Sequence, residues 1–351
     1  MHLKHANLKH FGWAYLVTLT GLVGSFFLGW YYSGNMAGAV AFLMVAGILA
    51  VLEISLSFDN AIVNANTLKT MDAVWQRRFL TWGILIAVFG MRIIFPLAVV
   101  AIAAHVGPIQ AIMLAAKQPD EYARLMHEAH LPIVAFGGTF LMMVALNFFV
   151  DPDKDLHWIK RLEHPMQHCS CIRGFAVGLV LAVILIMTLA VPDHARSLFL
   201  TSSIFGLLTF VGVEFLGKIL DSKACSTDVA AKGGLGAFLY LEMLDASFSF
   251  DGVIGAFAIT QNLFLIAIGL GIGAMYVRAM TIMIVEKQTL TKFHYLEHGA
   301  FYSILALSVI MFVQVLVEVP ELLIGLIGVT LIGLSFISSV KSNRQRSAHQ
   351  S

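Results

Sequence analysis

The chain has 351 residues, of which 59% are hydrophobic and only 12% are charged. Soluble proteins carry about 25% charged residues, so these charges are too few to cover a water-exposed surface, and the remaining surface must face lipid. The formal net charge of +1 and the absence of a basic stripe exclude electrostatic capture of nucleic acid, and three cysteines give no disulfide framework.

Ten segments are apolar over the roughly 20 residues that a membrane-spanning helix needs. Turn signals such as Ser33-Gly34-Asn35 and Asp151-Pro152 separate several of them. We therefore predict an all-α polytopic membrane protein of about ten transmembrane helices, forming a single transmembrane domain over residues 1–351. The ten segments are residues 11–32, 37–64, 79–104, 131–150, 174–192, 197–217, 233–260, 262–285, 298–317 and 321–340.

The distribution of basic residues predicts the orientation of these spans. With ten spans, both termini and four connections hold the great majority of the 22 Lys and Arg residues, and cytoplasmic loops are enriched in these residues. Both termini are therefore predicted to be cytoplasmic, in a multi-pass protein of the cell (inner) membrane. Residues 151–173 then form a cytoplasmic loop, in which His164, His168, Cys169 and Cys171 match no strong zinc signature and favour a solvated loop over a soft-metal site.

One acidic motif occurs twice. Leu52-Glu53-Ile54-Ser55-Leu56-Ser57-Phe58-Asp59-Asn60 aligns without a gap with Leu244-Asp245-Ala246-Ser247-Phe248-Ser249-Phe250-Asp251-Gly252. The copies begin on the second and seventh spans, which run in opposite directions, so an inverted-topology repeat is predicted. Its parts are a first repeat at 37–150, a connecting helix pair at 174–217 and a second repeat at 233–317.

Charged groups inside apolar spans need an explanation, since one costs about 3 kcal/mol or more at the centre of a lipid-exposed helix. Each motif is followed by a span with a single arginine, Arg92 or Arg278. One interpretation is an ion or proton pathway near the bilayer midplane; the other is two buried acid–arginine pairs that only hold helices together. Carboxylates, hydroxyls and a carboxamide are hard ligands, which suit Mg, Ca or Mn.

Helical geometry adds a prediction about the backbone. Glu53, Ser57 and Asn60 share one helix face, whereas Asp59 lies about 120° away from Glu53 on an ideal helix. One straight helix cannot aim both acids at one ion, so either the helix breaks near Ser55–Phe58 or each acid contacts a different partner. The break is our hypothesis, since the serines can satisfy the freed backbone groups. Gly252 would permit a similar break in the second copy.

The motifs resemble those of the TerC family of integral membrane proteins. The first half is similar through Glu53-x-x-Leu-Ser-x-Asp59-Asn60, Gln76-Arg77-Arg78 and Arg92; the second is similar through Phe248-Ser-Phe-Asp251, Ala256-Phe-Ala-Ile-Thr260 and Arg278. There are two departures: Gly252 stands where that family often has Ser, and the first span and the pair at 174–217 make this chain a longer variant with extra spans. The resemblance implies metal-ion homeostasis, notably manganese efflux, and tellurite resistance. It also implies ion binding by Glu53, Asp59, Asn60, Asp245 and Asp251. From their positions in or beside the motifs, supporting roles are expected for Ser57, Ser249, Glu242, Arg92 and Arg278.

The resulting hypothesis is a transporter that exports a divalent cation, Mn²⁺, as its transported substrate, by alternating access of two inverted halves and with no permanently bound cofactor. The alternative is a membrane scaffold in metal or tellurite stress resistance, with structural buried ion pairs. An enzyme is disfavoured because no known hydrolytic motif lies in the spans. The expected partners are the metal ion and the lipid bilayer, and a homo-oligomer stays open.

Overall fold

The computed structural model describes residues 2–83, 85–152, 154–172, 174–223, 234–317 and 319–350. Within these ranges every regular element is helical. Eight described helices are long and apolar enough to cross a membrane, or nine if the bent pair Lys160–Cys171 and Phe175–Ala190 counts as one span. The chain is therefore an all-α polytopic membrane protein, as the composition predicts.

Sixteen α-helices are described, and each of the ten predicted spans coincides with one or more of them. In chain order they are α1 (His2–Ser33), α2 (Met36–Leu56), α3 (Phe58–Leu68), α4 (Ala73–Arg78), α5 (Phe95–Ala103), α6 (Pro108–Lys117), α7 (Pro119–Glu128), α8 (His130–Val150), α9 (Lys160–His168), α10 (Phe175–Ala190), α11 (Asp193–Lys223), α12 (Leu235–Ile259), α13 (Leu263–Glu286), α14 (Thr289–Lys292), α15 (Leu296–Gln314) and α16 (Glu321–Gln350).

The predicted count of about ten spans exceeds the eight or nine helices that meet the length and apolarity requirements. Helix α12 has 25 residues, enough to span a bilayer. It is not among these eight or nine helices, because it carries the three acids Glu242, Asp245 and Asp251. Helix α10 is apolar and only 16 residues long, so it qualifies only together with the bent segment before it.

The chain divides into two compact units. Unit 1 comprises Met1–Ser57, Ala73–His130 and Phe248–Met283; unit 2 comprises Phe58–Asp72, Leu131–Ser247 and Ile284–Ser351. These bounds differ from those of the predicted repeats. The chain passes from unit 1 to unit 2 within the first acidic motif and from unit 2 to unit 1 within the second.

Unit 1 has a core contributed by α2, α5, α6, α7, α12 and α13. Its buried members include Leu49, Val100, Tyr122, Val253 and Leu270. Two π-helical segments, Phe79–Gly83 and Ile86–Ile94, lie between α4 and α5. Such segments are rare and occur frequently at functional sites; the second one carries Arg92.

Unit 2 is built around α8, whose residues from Ile133 to Phe149 are mostly buried. Helix α11 approaches α8 closely, because a Cβ added at Gly206 would lie 2.4 Å from the carbonyl oxygen of Phe136. Helix α15 packs against both α16 and α3, and α16 also contacts α3. The short helix α3, which begins with the second half of the first acidic motif, is thus held in this unit by α15 and α16.

Candidate functional site

The first acidic motif interrupts its helix. Helix α2 ends at Leu56 and α3 begins at Phe58, while Ser57 between them has φ −100° and ψ 16°. The N–H of Ser57 still donates to the carbonyl of Glu53, at 2.9 Å. The predicted break near Ser55–Phe58 is therefore confirmed.

The predicted break at Gly252 is wrong, because α12 is continuous from Leu235 to Ile259. Gly252 instead allows a close approach within unit 1. A Cβ added there would lie 3.2 Å from Oε2 of Glu53, a distance at which one of the two groups would have to shift. The glycine gives room to the acid of the other motif copy.

In unit 1, Glu53 is neutralised by the arginine of the following span. Both residues are 3% exposed, and Nη2 of Arg92 donates to Oε1 of Glu53. Ser57 Oγ donates to the same oxygen at 3.1 Å. A buried charge is tolerated when it is paired and hydrogen-bonded in this way.

Helix α13 lies unusually close to α2 beside this pair. A Cβ added at Gly273 would lie 2.4 Å from Cβ of Glu53, and one added at Gly269 would lie 2.6 Å from Cβ of Leu49. Small residues four apart are the usual means of close helix approach in membranes. The G-x-x-x-G spacing of Gly269 and Gly273 is visible in the sequence, but the sequence does not show which helix packs against it.

In unit 2, Asp59 lies in the first turn of α3 and is 4% exposed. Its Oδ1 accepts the N–H of Asn60 at 2.8 Å, and its Oδ2 accepts the Oγ of Ser303 on α15 at 2.7 Å. A carboxylate at a helix N-terminus also interacts favourably with the helix dipole. Sequence reasoning missed Ser303, because a lone serine in an apolar span carries no local signal.

The two motifs contact each other in unit 2 through Asn60 and Asp245. Nδ2 of Asn60 donates to Oδ1 of Asp245 at 2.5 Å. The Oδ1 of Asn60 is buried and accepts no hydrogen bond from a described residue, and the same holds for Oε1 of Glu242, one turn before Asp245. Buried acceptors without donors are rare in folded proteins, and oxygen acceptors are what hard cations bind.

Further polar groups continue along α3. Asn64 is 4% exposed, and its Oδ1 also lacks a donor among the described residues. Asn66 donates to Glu297 at 2.5 Å, and Lys69 lies 3.8 Å from the same carboxylate. Asn60 and Asn64, four residues apart, were the signal in the sequence for a polar face on this helix.

Other predicted site residues are placed differently. Arg278 donates through Nη2 to the carbonyl oxygen of Leu80, at 2.5 Å, in unit 1. Ser249 is buried. The side chain of Asp251 lies outside the described part of the structure, so its predicted role in ion binding stays a prediction.

Among the described residues, no group of three or more His, Cys, Asp or Glu side chains is arranged to hold a metal ion. This includes the loop that is predicted to be cytoplasmic, where the rings of His164 and His168 lie 5.1 Å apart and Cys171 is exposed. The carboxylates that the described geometry brings into one polar network with Asn60 are Asp59 and Asp245.

Comparison with known proteins adds one match. The family described as "Protein of unknown function (DUF475)" matches residues 58–346, which is most of the chain. Neither a curated protein nor a solved structure matches. The matched description states no function, so the function must be argued from the residues themselves.

Proposed function

The chain belongs to this DUF475 family, and from that premise and the site geometry we propose that it is a membrane transporter that exports a divalent cation. The supporting observation is the polar network of unit 2, where Asp59, Asn60 and Asp245 join the two motif copies beside an interruption in the helix. Transporters use broken helices and midplane acids in this way.

The ligand chemistry supports a hard cation. Asp59 and Asp245 supply carboxylate oxygens, and the unsatisfied Oδ1 of Asn60 supplies an amide oxygen. Water and backbone carbonyls would complete the six to eight oxygen ligands that Ca²⁺ takes or the octahedron that Mn²⁺ and Mg²⁺ prefer. Our choice of Mn²⁺ rests on the resemblance of both motifs to the TerC family, and membership of that family is part of the proposal.

The repeat supports a two-state mechanism. In the first copy the N-terminal half of the motif belongs to unit 1 and the C-terminal half to unit 2, and in the second copy the order is reversed. An inverted repeat would reverse the order in which the two halves of the motif belong to the two units, as observed between the two copies. We place both termini in the cytoplasm on the distribution of Lys and Arg, and alternating access would expose the site to each side in turn.

The Glu53–Arg92 pair favours a second candidate. A buried pair of this kind can hold two helices together without any ion, as a membrane scaffold would require. In the transport proposal the same arginine neutralises Glu53 when no cation is near. The two candidates differ in what the acids do, so they differ in what loss of an acid does to ion flux.

Mn²⁺ flux into proteoliposomes tests the proposal. Asp59→Asn and Asp245→Asn should each lower the flux by at least about tenfold, as losses at or near metal ligands do. Glu214→Gln is the control, because this acid on α11 forms an ion pair with the exposed Lys218, at 2.6 Å, and should transport like the wild type. All variants are first compared by size-exclusion elution.

Two results would count against transport. Wild-type flux in both variants would show that the network carries no ion, and absence of flux for Mn²⁺, Mg²⁺ and Ca²⁺ in the wild type would favour the scaffold. Competition among these three ions at a fixed Mn²⁺ concentration identifies the preferred substrate.

A further inference from the structure

A second buried network lies in unit 2, centred on Glu163 of α9. This carboxylate has 0% exposure, although it belongs to the predicted cytoplasmic loop. Its Oε1 accepts the backbone N–H groups of Trp158 and Ile159, at 3.1 and 3.0 Å. The loop before α9 thus folds onto the acid of its own helix.

Three side chains complete the network. Lys154 Nζ lies 2.8 Å from Oε2 of Glu163, His298 Nε2 lies 3.4 Å from the same oxygen, and Tyr302 donates its hydroxyl to Oε1 at 3.2 Å. His298 also contacts the carbonyl oxygen of Leu156, at 2.8 Å. A carboxylate has about four lone-pair sites, so Glu163 is fully satisfied, and both loop and α15 contribute.

Lys154 is half-buried, and its side chain is 7% exposed beside its acid. Its ammonium lies 4.1 Å from the ring centre of Phe148 and 4.9 Å from that of Phe149, at the end of α8. Burial lowers the pKa of Lys154. Burial works to raise the pKa of Glu163, but the hydrogen bonds from Lys154 and Ile159 and the nearby positive charges hold that pKa below its ordinary range.

Helix α15 connects this network to the acidic motif. Glu297 and Ser303 bond to Asn66 and Asp59 on α3. His298, next to Glu297, contacts the carbonyl oxygen of Leu156 in the loop, and Tyr302, next to Ser303, donates its hydroxyl to Glu163 of α9. The first two turns of α15 are therefore fastened on one side to α3 and on the other to the loop.

We infer that Glu163 is a positioning residue, which fastens the loop of residues 151–159 to α15 and thereby holds Ser303 against Asp59. The inference rests on the proposed function, since it makes Glu163 a determinant of cation affinity although this residue does not touch the ion. Ser303 donates a hydrogen bond to one carboxylate oxygen of Asp59 and thereby orients the other. Loss of the Glu163 charge leaves the ammonium of Lys154 beside the rings of Phe148 and Phe149 without its carboxylate. This favours release of the loop.

The test uses the full chain in nanodiscs and three variants. Glu163→Gln removes the charge and keeps an acceptor for the backbone N–H groups. Tyr302→Phe removes only the hydroxyl that joins α15 to Glu163. Tyr295→Phe is the matched control, because this tyrosine lies just before α15 and its hydroxyl has no hydrogen-bond partner among the described residues.

Amide hydrogen exchange reports the fastening and Mn²⁺ flux reports its consequence. Glu163→Gln should speed exchange at Trp158 and Ile159 and also in residues 298–303, by roughly tenfold or more. The KM for Mn²⁺ should rise by about tenfold, as losses of groups that orient ligands do, with little change in the maximal rate. Tyr302→Phe should also speed amide exchange in residues 298–303 and raise the KM for Mn²⁺. Tyr295→Phe should change neither the exchange rates nor the KM.

Faster exchange confined to residues 151–168, with α15 unchanged, would overturn the inference, and so would an unchanged KM. A wild type without flux for any divalent cation would refute the proposed function instead. In that case exchange in residues 298–303 still decides whether Glu163 holds α15: unchanged exchange refutes the fastening, and faster exchange supports it.

Discussion

The ion pair between Glu53 and Arg92 yields a prediction that separates structural from functional roles. We consider the variants Arg92→Met, Glu53→Gln and the double variant. Both residues are 3% exposed, so removal of either partner leaves the other one in an apolar interior without its ion pair. Breaking a buried pair in this way costs about 3–5 kcal/mol, whereas replacing both partners is often nearly neutral.

The magnitude follows from this asymmetry. Arg92→Met should lower the unfolding temperature by roughly 10 °C, taking about 2–4 °C per kcal/mol for a large domain. Glu53→Gln should cost less than Arg92→Met, because the amide oxygen still accepts from Ser57 and Arg92. The double variant should be more stable than the sum of the two single losses predicts, by a coupling energy of about 1–3 kcal/mol between the two positions.

The assay is thermal unfolding of purified protein, followed by Mn²⁺ flux of the same samples in proteoliposomes. Additive losses in the double variant would refute the reasoning, because independent side chains show no coupling. A double variant that regains stability but shows no Mn²⁺ flux indicates that Glu53 takes part in ion binding. Recovery of both indicates that the pair is structural and supports the scaffold.

Two further substitutions test contacts that the sequence did not reveal. Gly273→Ala should destabilise the protein by about 1–3 kcal/mol in thermal unfolding, because its Cβ would overlap a side chain of α2. Gly271→Ala, where the nearest atom lies at 3.6 Å, should be neutral; equal effects would contradict the close packing. Ser303→Ala should raise the KM for Mn²⁺ by about tenfold. Ser308→Ala is the control: it removes a hydrogen bond to the carbonyl oxygen of Leu305 on the same helix and should leave the KM unchanged. Equal KM values for the two serine variants would show that the hydroxyl on Asp59 has no role.

Local geometry explains which features were predictable. The low content of charged residues already indicates helices in lipid, and apolar segments of about 20 residues locate them. The angle between Glu53 and Asp59 on a helix predicts the break, and α2 ends within the predicted stretch, at Leu56. These features depend on neighbours in the chain, so periodicity reveals them.

Gly252 shows where local reasoning fails. A glycine after an acid suggested a broken helix, but α12 continues and the missing Cβ makes room for Glu53 instead. A glycine serves backbone freedom or close approach equally well. Only the packing of a second helix decides between them.

The partners of the acids were likewise decided by tertiary structure. The sequence alone determined an all-α membrane protein with a doubled acidic motif and an interrupted first copy. It did not determine that Ser303 holds Asp59, that Asn60 joins Asp245, or that Glu163 is buried beside α15. Those contacts link residues far apart in the chain. The apolar residues of α12 and α15 are spread around each helix, so they carry no periodic signal for its rotation or its neighbours.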